Sequence, residues 1–540
     1  MTLNHSLAQE RLRTILCCHL PIISPPSPVV GLLKMLSDDE ESCTSLSSQS
    51  SGQATSTSIS PQPLSITVGD ITTHRFAIDL LLDEVLLEIF ACYVEGSRRR
   101  DAWRKLARVC RRWRSIVFGS PRRLNLRIFC SERIPVRENL DFWPPFPIVL
   151  TVDYYLRLGD DNILATLEHH DRVSRIEIQN ITSSLWEKVL PLLQNPFPLL
   201  TDLNLGYTDD ITDFPVPPVV PDWFLNGSAT RLRNLSLSHI PFRGLPKLLL
   251  SATNLVNISL YDIPDSVFVA PEAMITCIST STRLESLMLW SESPQLRPEW
   301  ERRRSSSSTR RLLPSLTGFM LKGVSEYLEV ILDSIDAPLL ERLTIMFLHQ
   351  PIFDTPRLAQ FVSRVPNLKT CNEVRLRVGD LCPSVTAISS TTTNAFLLEN
   401  WNRPVDFQIS TFARFCTSSF PQALIPTLED LRIDGSISGP PGQDGIDPTP
   451  WLDLLQPFTA VKNLYLYPEI TPHISLVLKE LVGESASELF PVLQNIFLPE
   501  LPLQPFQLIP EGIEQFVASR QLASHPISIS HWEIDTYFVE

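Results

Sequence analysis

Along residues 82–90 the apolar side chains fall at three- and four-residue steps, Leu82, Val85, Leu86, Ile89 and Phe90, the spacing of a helix with one apolar face. Asp79 precedes the run as an N-cap, Asp83 and Glu84 suit the positive end of the helix dipole, and Gly96 fits the helix stop. A second stretch carries Trp103, Leu106, Val109, Cys110, Trp113, Ile116 and Val117, again at helical steps, with arginines on its other face and Pro121 closing it. The pattern predicts a compact helical piece over about 75–123. A unit that small buries only about 60% of its unfolded surface, so it should lean on a partner, on the domain that follows, or on both.

Beyond residue 124 the pattern changes to apolar-x-x-apolar-x-apolar. It reads Val173-Ile176-Ile178, Leu200-Leu203-Leu205, Leu232-Leu235-Leu237, Leu255-Ile258-Leu260, Leu284-Leu287-Leu289, Leu316-Phe319-Leu321 and Leu340-Leu343-Ile345. After a gap it resumes as Leu428-Leu431-Ile433, Val461-Leu464-Leu466 and Leu493-Ile496-Leu498. Leu368 starts a further copy, which Cys371 and Glu373 break. Alternate residues of a short strand point inward, and the leading residue turns in from the preceding loop. Pro246–Leu250, Glu272–Ser279, Glu326–Ile335 and Leu358–Val365 read as helices between the strands. No strand-plus-helix unit covers its own apolar face, so neighbours must stack. The spacing is uneven, which predicts varied helical sides and insertions. Polar or Gly/Pro-rich stretches near 291–311, 384–393 and 435–450 are expected as surface loops.

Composition adds a third region. Residues 1–72 are rich in Ser, Thr and Pro and poor in aromatics, which predicts a disordered tail. The most apolar run within it, Thr14–Ile23, is interrupted by His19 and Pro21 and lacks a small-residue cleavage site. No stretch of the length and apolarity of a transmembrane helix follows. Ten cysteines are strewn without a C-x-x-C, the usage of reduced cytoplasmic or nuclear thiols. No cysteine or histidine stands at ligand spacing around His169-His170, so neither a metal site nor a cofactor is expected. The formal charge is −14, yet Arg98–Arg123 holds eleven basic residues and one acid.

Residues 81–90, LLDEVLLEIF, and 106–113, LARVCRRW, together resemble the F-box, whose usual form is Leu-Pro-x-Glu-Leu-Leu-x-x-Ile-Phe followed by Leu-x-x-Val-Cys-Lys/Arg-x-Trp. On that match Leu81, Glu84, Leu86, Ile89, Phe90, Leu106, Val109, Cys110 and Trp113 take the motif positions, and Leu82 stands where the family has proline. The order of F-box followed by leucine-rich-repeat-like units resembles the expanded fungal F-box families. The fold expected is thus α+β and multidomain: a small all-helical F-box module, 75–123, followed by an irregular α/β leucine-rich-repeat solenoid, 124–540. The resemblance implies that those ten residues dock a Skp-family adaptor, and through it a cullin–RING ubiquitin ligase, while the repeats recruit a protein substrate. From the residues alone, each apolar anchor can equally be core of the module or part of its docking face.

Three other readings stay open. A repeat-built scaffold could bind proteins without ligase attachment. The basic 98–123 segment has the electrostatic footprint of nucleic-acid binding, but the rest of the chain would repel phosphate and no nucleic-acid motif accompanies it. An enzyme is the weakest reading: no Gly-rich phosphate loop, nucleophile elbow or H-E-x-x-H is present, and Asp160-Asp161 and Asp209-Asp210 read as solvated turns.

Overall fold

The computed structural model describes residues 80–97, 101–130, 136–152, 159–208, 219–263, 269–291, 310–348, 355–379, 383–401, 405–418, 420, 424–436, 449–481, 488–500 and 509–532. The expected tail, Asp79, most of the 291–311 and 435–450 insertions, and Asp209-Asp210 lie outside them.

The first element, α1 (Asp83–Gly96), runs through Gly96 and stops at Ser97, which is extended. The stretch expected as one second helix is two. α2 (Ala102–Val109) and α3 (Arg111–Gly119) are separated by Cys110, whose backbone is fully extended at φ −154° and ψ 172°. Cys110 acts as an N-cap: its Sγ accepts the Trp113 N–H at 3.4 Å. Arg114 Nε donates to the Ala107 carbonyl at 2.9 Å, satisfying an acceptor that the end of α2 leaves open.

The remaining elements alternate. The strands are β1 (Ile128–Cys130), β2 (Ile148–Val152), β3 (Val173–Ile181), β4 (Asp202–Tyr207), β5 (Asn234–Ser238), β6 (Asn257–Tyr261), β7 (Ser286–Trp290), β9 (Gly318–Gly323) and β11 (Arg342–Leu348). Then come β12 (Glu373–Gly379), β13 (Ser384–Ile388), β14 (Ala395–Trp401), β15 (Asp430–Ser436), β16 (Asn463–Leu466), β17 (Asn495–Pro499) and β18 (Ser528–Trp532). These form one sixteen-stranded sheet among the described residues, while β8 (Arg311–Leu312) and β10 (Ile335–Asp336) pair separately. All ten apolar-x-x-apolar-x-apolar copies lie on strands of the large sheet, with the two central residues of each buried. The leading residue of each is buried as well, closing the turn beneath the strand.

Helices cover one face: α4 (Val136–Phe142), α5 (Asp160–Leu167), α6 (Ser183–Leu192), α7 (Leu245–Ser251), α8 (Pro271–Ile278), α9 (Ser325–Ser334) and α10 (Pro356–Arg364). They continue as α11 (Val405–Ser418), α12 (Thr449–Leu455), α13 (Thr471–Lys479) and α14 (Glu511–Leu522). Trp186, Leu248, Ile278, Leu332, Phe361, Trp451, Ile474 and Phe516 turn from these helices onto the strand leucines. Each buried side chain of this size contributes about 1.5–3 kcal/mol. α13 and α14 approach so closely that a Cβ at Gly512 would collide with the Ser475 carbonyl.

The large sheet is parallel except at one place. The polar stretch 384–393, expected as a surface loop, is instead strand β13 and the turn that follows it. It lies antiparallel between β12 and β14, with Val385 and Ala387 buried and Ser384 and Thr386 paired against Arg377 and Arg375. Ser384 and Thr386 alternate with the buried residues of a period-two strand, while Ser390–Thr393 lie exposed in the turn beyond it, as expected of a loop. The broken copy at Leu368 is also present in shifted register: Cys371, Val374 and Leu376 are the buried residues that enter β12.

Candidate functional site

Two surfaces stand out on this scaffold. The first is the helical module. Leu86, Phe90, Trp103, Leu106 and Val117 are buried, Leu81 and Trp113 are half-buried against them, and Phe90 meets the Trp113 ring at 4.7 Å. Arg112 donates to Asp83 Oδ1 through Nε at 2.9 Å and Nη2 at 2.7 Å, and Nη2 also reaches the Leu81 carbonyl. It thereby ties the start of α1 to α3. Trp103 Nε1 donates to the Arg127 carbonyl at 3.2 Å, and its ring meets Trp143 at 5.0 Å and Phe146 at 5.6 Å. The module therefore shares one hydrophobic core with the first strand–helix units.

Of the ten motif residues, Leu82, Glu84, Ile89, Val109 and Cys110 are exposed. Leu82, Val85 and Ile89, 68%, 42% and 43% exposed, follow one another at three and four residues and so form a stripe along α1 beside Leu86 and Phe90. Val109, at 60%, is exposed at the end of α2. The single apolar face expected for α1 is present but only half covered: its Leu86–Phe90 side turns into the module and its Leu82–Val85–Ile89 side meets solvent.

The basic segment is also divided. Arg104 is buried, stacked 5.7 Å from the Trp103 ring and 5.5 Å from the Trp143 ring, and burial pushes its pKa down. Arg112 and Arg114 serve the helix contacts above, and Arg123 pairs with Glu88. Lys105, Arg108, Arg111 and Arg122 are exposed, while 98–100 lie outside the described residues.

The second surface is the open face of the sheet, which sequence reading left unassigned. Strand register stacks its residues in rows. In the first row, Asn234 Nδ2 donates to Asp202 Oδ1 at 2.5 Å and Asn257 Nδ2 to Asn234 Oδ1 at 2.6 Å, with Ser286 next in register. The same order returns toward the other end. Asn463 Nδ2 donates to Asp430 Oδ1 at 2.7 Å and Asn495 Nδ2 to Asn463 Oδ1 at 2.8 Å, with Ser528 next. Asn234 and Asn463, in the middle of each ladder, use the donor on one neighbour and the acceptor on the other, so the ladder satisfies side chains that the strands leave half-buried.

Beside the second ladder the outward residues are large. Arg432 lies 4.3 Å from the Tyr465 ring and 5.3 Å from that of Trp532. Tyr465 stacks on Phe497 at 4.4 Å with the rings 8° from parallel, and Trp532 meets Tyr467 edge-on at 5.0 Å. Glu373, only 7% exposed, accepts from Arg375 Nε at 2.5 Å and has Arg432 Nε 2.9 Å away, and Arg377 Nε donates to Asp434 at 3.2 Å. Burial, with nearby acids, pushes the Tyr465 and Tyr467 phenols up, so both stay protonated donors at neutral pH. The signal for this cluster was present in the sequence as the alternate residues of each repeat strand, Arg432/Asp434, Tyr465/Tyr467 and Phe497/Pro499.

Among the described residues no group of three or more His, Cys, Asp or Glu could hold a metal ion, and no helix is long and apolar enough to cross a membrane. The repeating strand–helix units around a leucine-lined core make the described chain a leucine-rich-repeat-like solenoid preceded by a three-helix module. No family model matches the sequence, and no curated protein matches it. Among solved structures the chain is similar to one in the crystal structure of the Rad7 and Elc1 complex in yeast. The two are 13% identical over 80% of this chain and 94% of that one, with a TM-score of 0.27. It is also similar to the leucine-rich repeat-containing protein LegL7 from Legionella pneumophila, at 13% identity over 75% of this chain and 99% of that one, with a TM-score of 0.24. Neither likeness bears on what this chain binds.

Proposed function

We propose that this chain is a non-catalytic F-box substrate receptor of the cytoplasm or nucleus. Its helical module docks a Skp-family adaptor of a cullin–RING ubiquitin ligase, and its repeats hold a protein substrate. The observation that carries the reading is the solvent-facing stripe Leu82, Val85 and Ile89, with Val109, on a module whose core is already filled by Leu86, Phe90 and Trp103. A helical face of this kind suits helix-in-groove recognition. Lys105, Arg108 and Arg111 add positive charge suited to an acidic partner surface. Nucleic-acid binding is the weaker reading, because Arg104, Arg112, Arg114 and Arg123 are engaged inside the chain.

The test is co-purification of the full chain with a Skp-family adaptor. Ile89→Asp and Val109→Asp are the informative variants, since both side chains are exposed, and circular dichroism of each checks that the fold is kept. Leu86→Asp is not informative, because it buries a charge and unfolds the module. Capture of the adaptor, weakened on the order of a hundredfold by either exposed variant, is expected. Adaptor binding should also protect the exposed Cys110 thiol from alkylation. A folded chain that captures no adaptor would instead be a repeat scaffold without ligase attachment.

A further inference from the structure

We propose that the C-terminal panel of the open sheet face, formed by Arg375, Arg377, Arg432, Tyr465, Tyr467 and Trp532, docks an acidic segment of a partner protein. That segment would carry side-chain carboxylates beside apolar or aromatic anchors. The inference rests on reading the repeats as the protein-binding part of the chain and names the chemistry they accept.

The panel's residues lie in register across adjacent strands: Arg375 beside Arg432, Arg432 beside Tyr465, Tyr465 beside Phe497, and Pro499 beside Trp532. Tyr, Trp and Arg are the residue types that dominate protein-recognition hot spots. The charges are layered. Arg375, Arg377 and Arg432 are 36%, 50% and 23% exposed, whereas Glu373 and Asp434, which they engage, are 7% and 30% exposed. A partner therefore meets Arg377 and Arg375 first, Asp434 and Arg432 behind them and Glu373 last, on a chain whose net charge is −14. That outer charge is complementary to carboxylates.

The panel is also preorganised. Glu373 and the Tyr465 and Trp532 rings hold Arg432 in place, so docking costs little side-chain ordering. The same contacts exclude other occupants. Arg432 already fills the space between the rings that a methylated lysine would need.

The experiment selects a displayed library of random short peptides on the purified full chain. Enriched peptides should be acidic and carry an aromatic or aliphatic anchor, and their binding should weaken as salt rises. Arg377→Glu and Tyr467→Ala should each lower the affinity of the strongest peptide about tenfold. Ser236→Glu, on the opposite half of the same face, should leave it unchanged. Enrichment of basic or uncharged peptides, or acidic peptides that bind Arg377→Glu as well as the parent, would overturn the proposal. Tighter binding when phosphoserine replaces glutamate in the peptide would reassign the panel to phosphopeptides and also overturn it. Adaptor capture and its loss in Ile89→Asp, measured on the same preparations, report on the ligase reading separately. Peptide binding without adaptor capture would leave this inference standing.

Discussion

The two halves of the sheet carry the same ladder and different faces. Asp202, Asn234, Asn257 and Ser286 in one half are matched, in order and register, by Asp430, Asn463, Asn495 and Ser528 in the other. Behind both ladders the strand leucines are equally buried. In front, the neighbouring positions are Asn204, Ser236 and Ser259 in the first half, and Arg432, Tyr465 and Phe497 in the second. A repeat scaffold separates its tasks by position: inward residues and the ladder hold the strands, leaving the outward positions available for recognition. The row beside the ladder is small and polar in the first half, with a Tyr261–Trp290–Lys322 cluster further along the strands, and arginine–aromatic in the second, so one framework carries locally different rows.

The strongest test of this equivalence is in the core. Leu235→Ala and Leu464→Ala each remove a fully buried side chain and should each cost about 2–5 kcal/mol. Hydrogen exchange followed repeat by repeat suits the measurement, because long arrays need not unfold in two states. A loss of protection confined to one half by only one of the variants would show that the halves are not equivalent supports.

The outward positions should break the symmetry at a smaller scale. Arg432→Ala takes one guanidinium from the buried Glu373 and should cost roughly 1–3 kcal/mol in the second half. Ser236→Ala, in the matching row of the first half, should stay within about 0.5 kcal/mol. Equal effects in urea titrations of the two variants would argue that the panel is merely surface.

The smallest effect is one of pH. Burial holds the pKa of His473, on α13, below its ordinary value, so the folded chain binds that proton less readily than the unfolded chain does. Its contribution is present above the unfolded pKa of about 6.5 and is lost as the pH falls below that value. Protection of β16 and β17 should therefore weaken on acidification while β4 to β6 hold. His473→Gln should reduce the difference, and acid sensitivity unchanged in that variant would assign it to another group.

Much of the scaffold was legible beforehand because it is written in local periods. Ten repeat strands, the helices α7 to α10 and the helical character of residues 83–119 all follow from spacing along the chain. Three features did not. The break at Cys110 depends on a cap formed by a thiol, a weak acceptor seldom expected in that place. β13 looks like a loop because its inward residues, Val385 and Ala387, are small and Ser384 and Thr386 alternate with them. β1, β2, β14 and β18 lack a full leucine pattern and are strands because neighbours offer them an edge to pair with.

The candidate surfaces divide in the same way. Sequence placed the motif residues on helices, but it could not say that Leu86 turns inward and Ile89 outward, since both lie in one apolar run three residues apart. Only the packing of α2 and α3 against α1 decides which residues are core and which remain for a partner. Sequence likewise contains Arg432, Tyr465, Phe497 and Trp532, each some thirty residues from the next in the chain. Their assembly into one panel is decided by strand register, a non-local pairing set when every inward leucine is buried at once. What the sequence by itself determined is the identity and period of the units. What the tertiary structure decided is which of their outward faces meet, because that follows from how the units stack and not from any one of them.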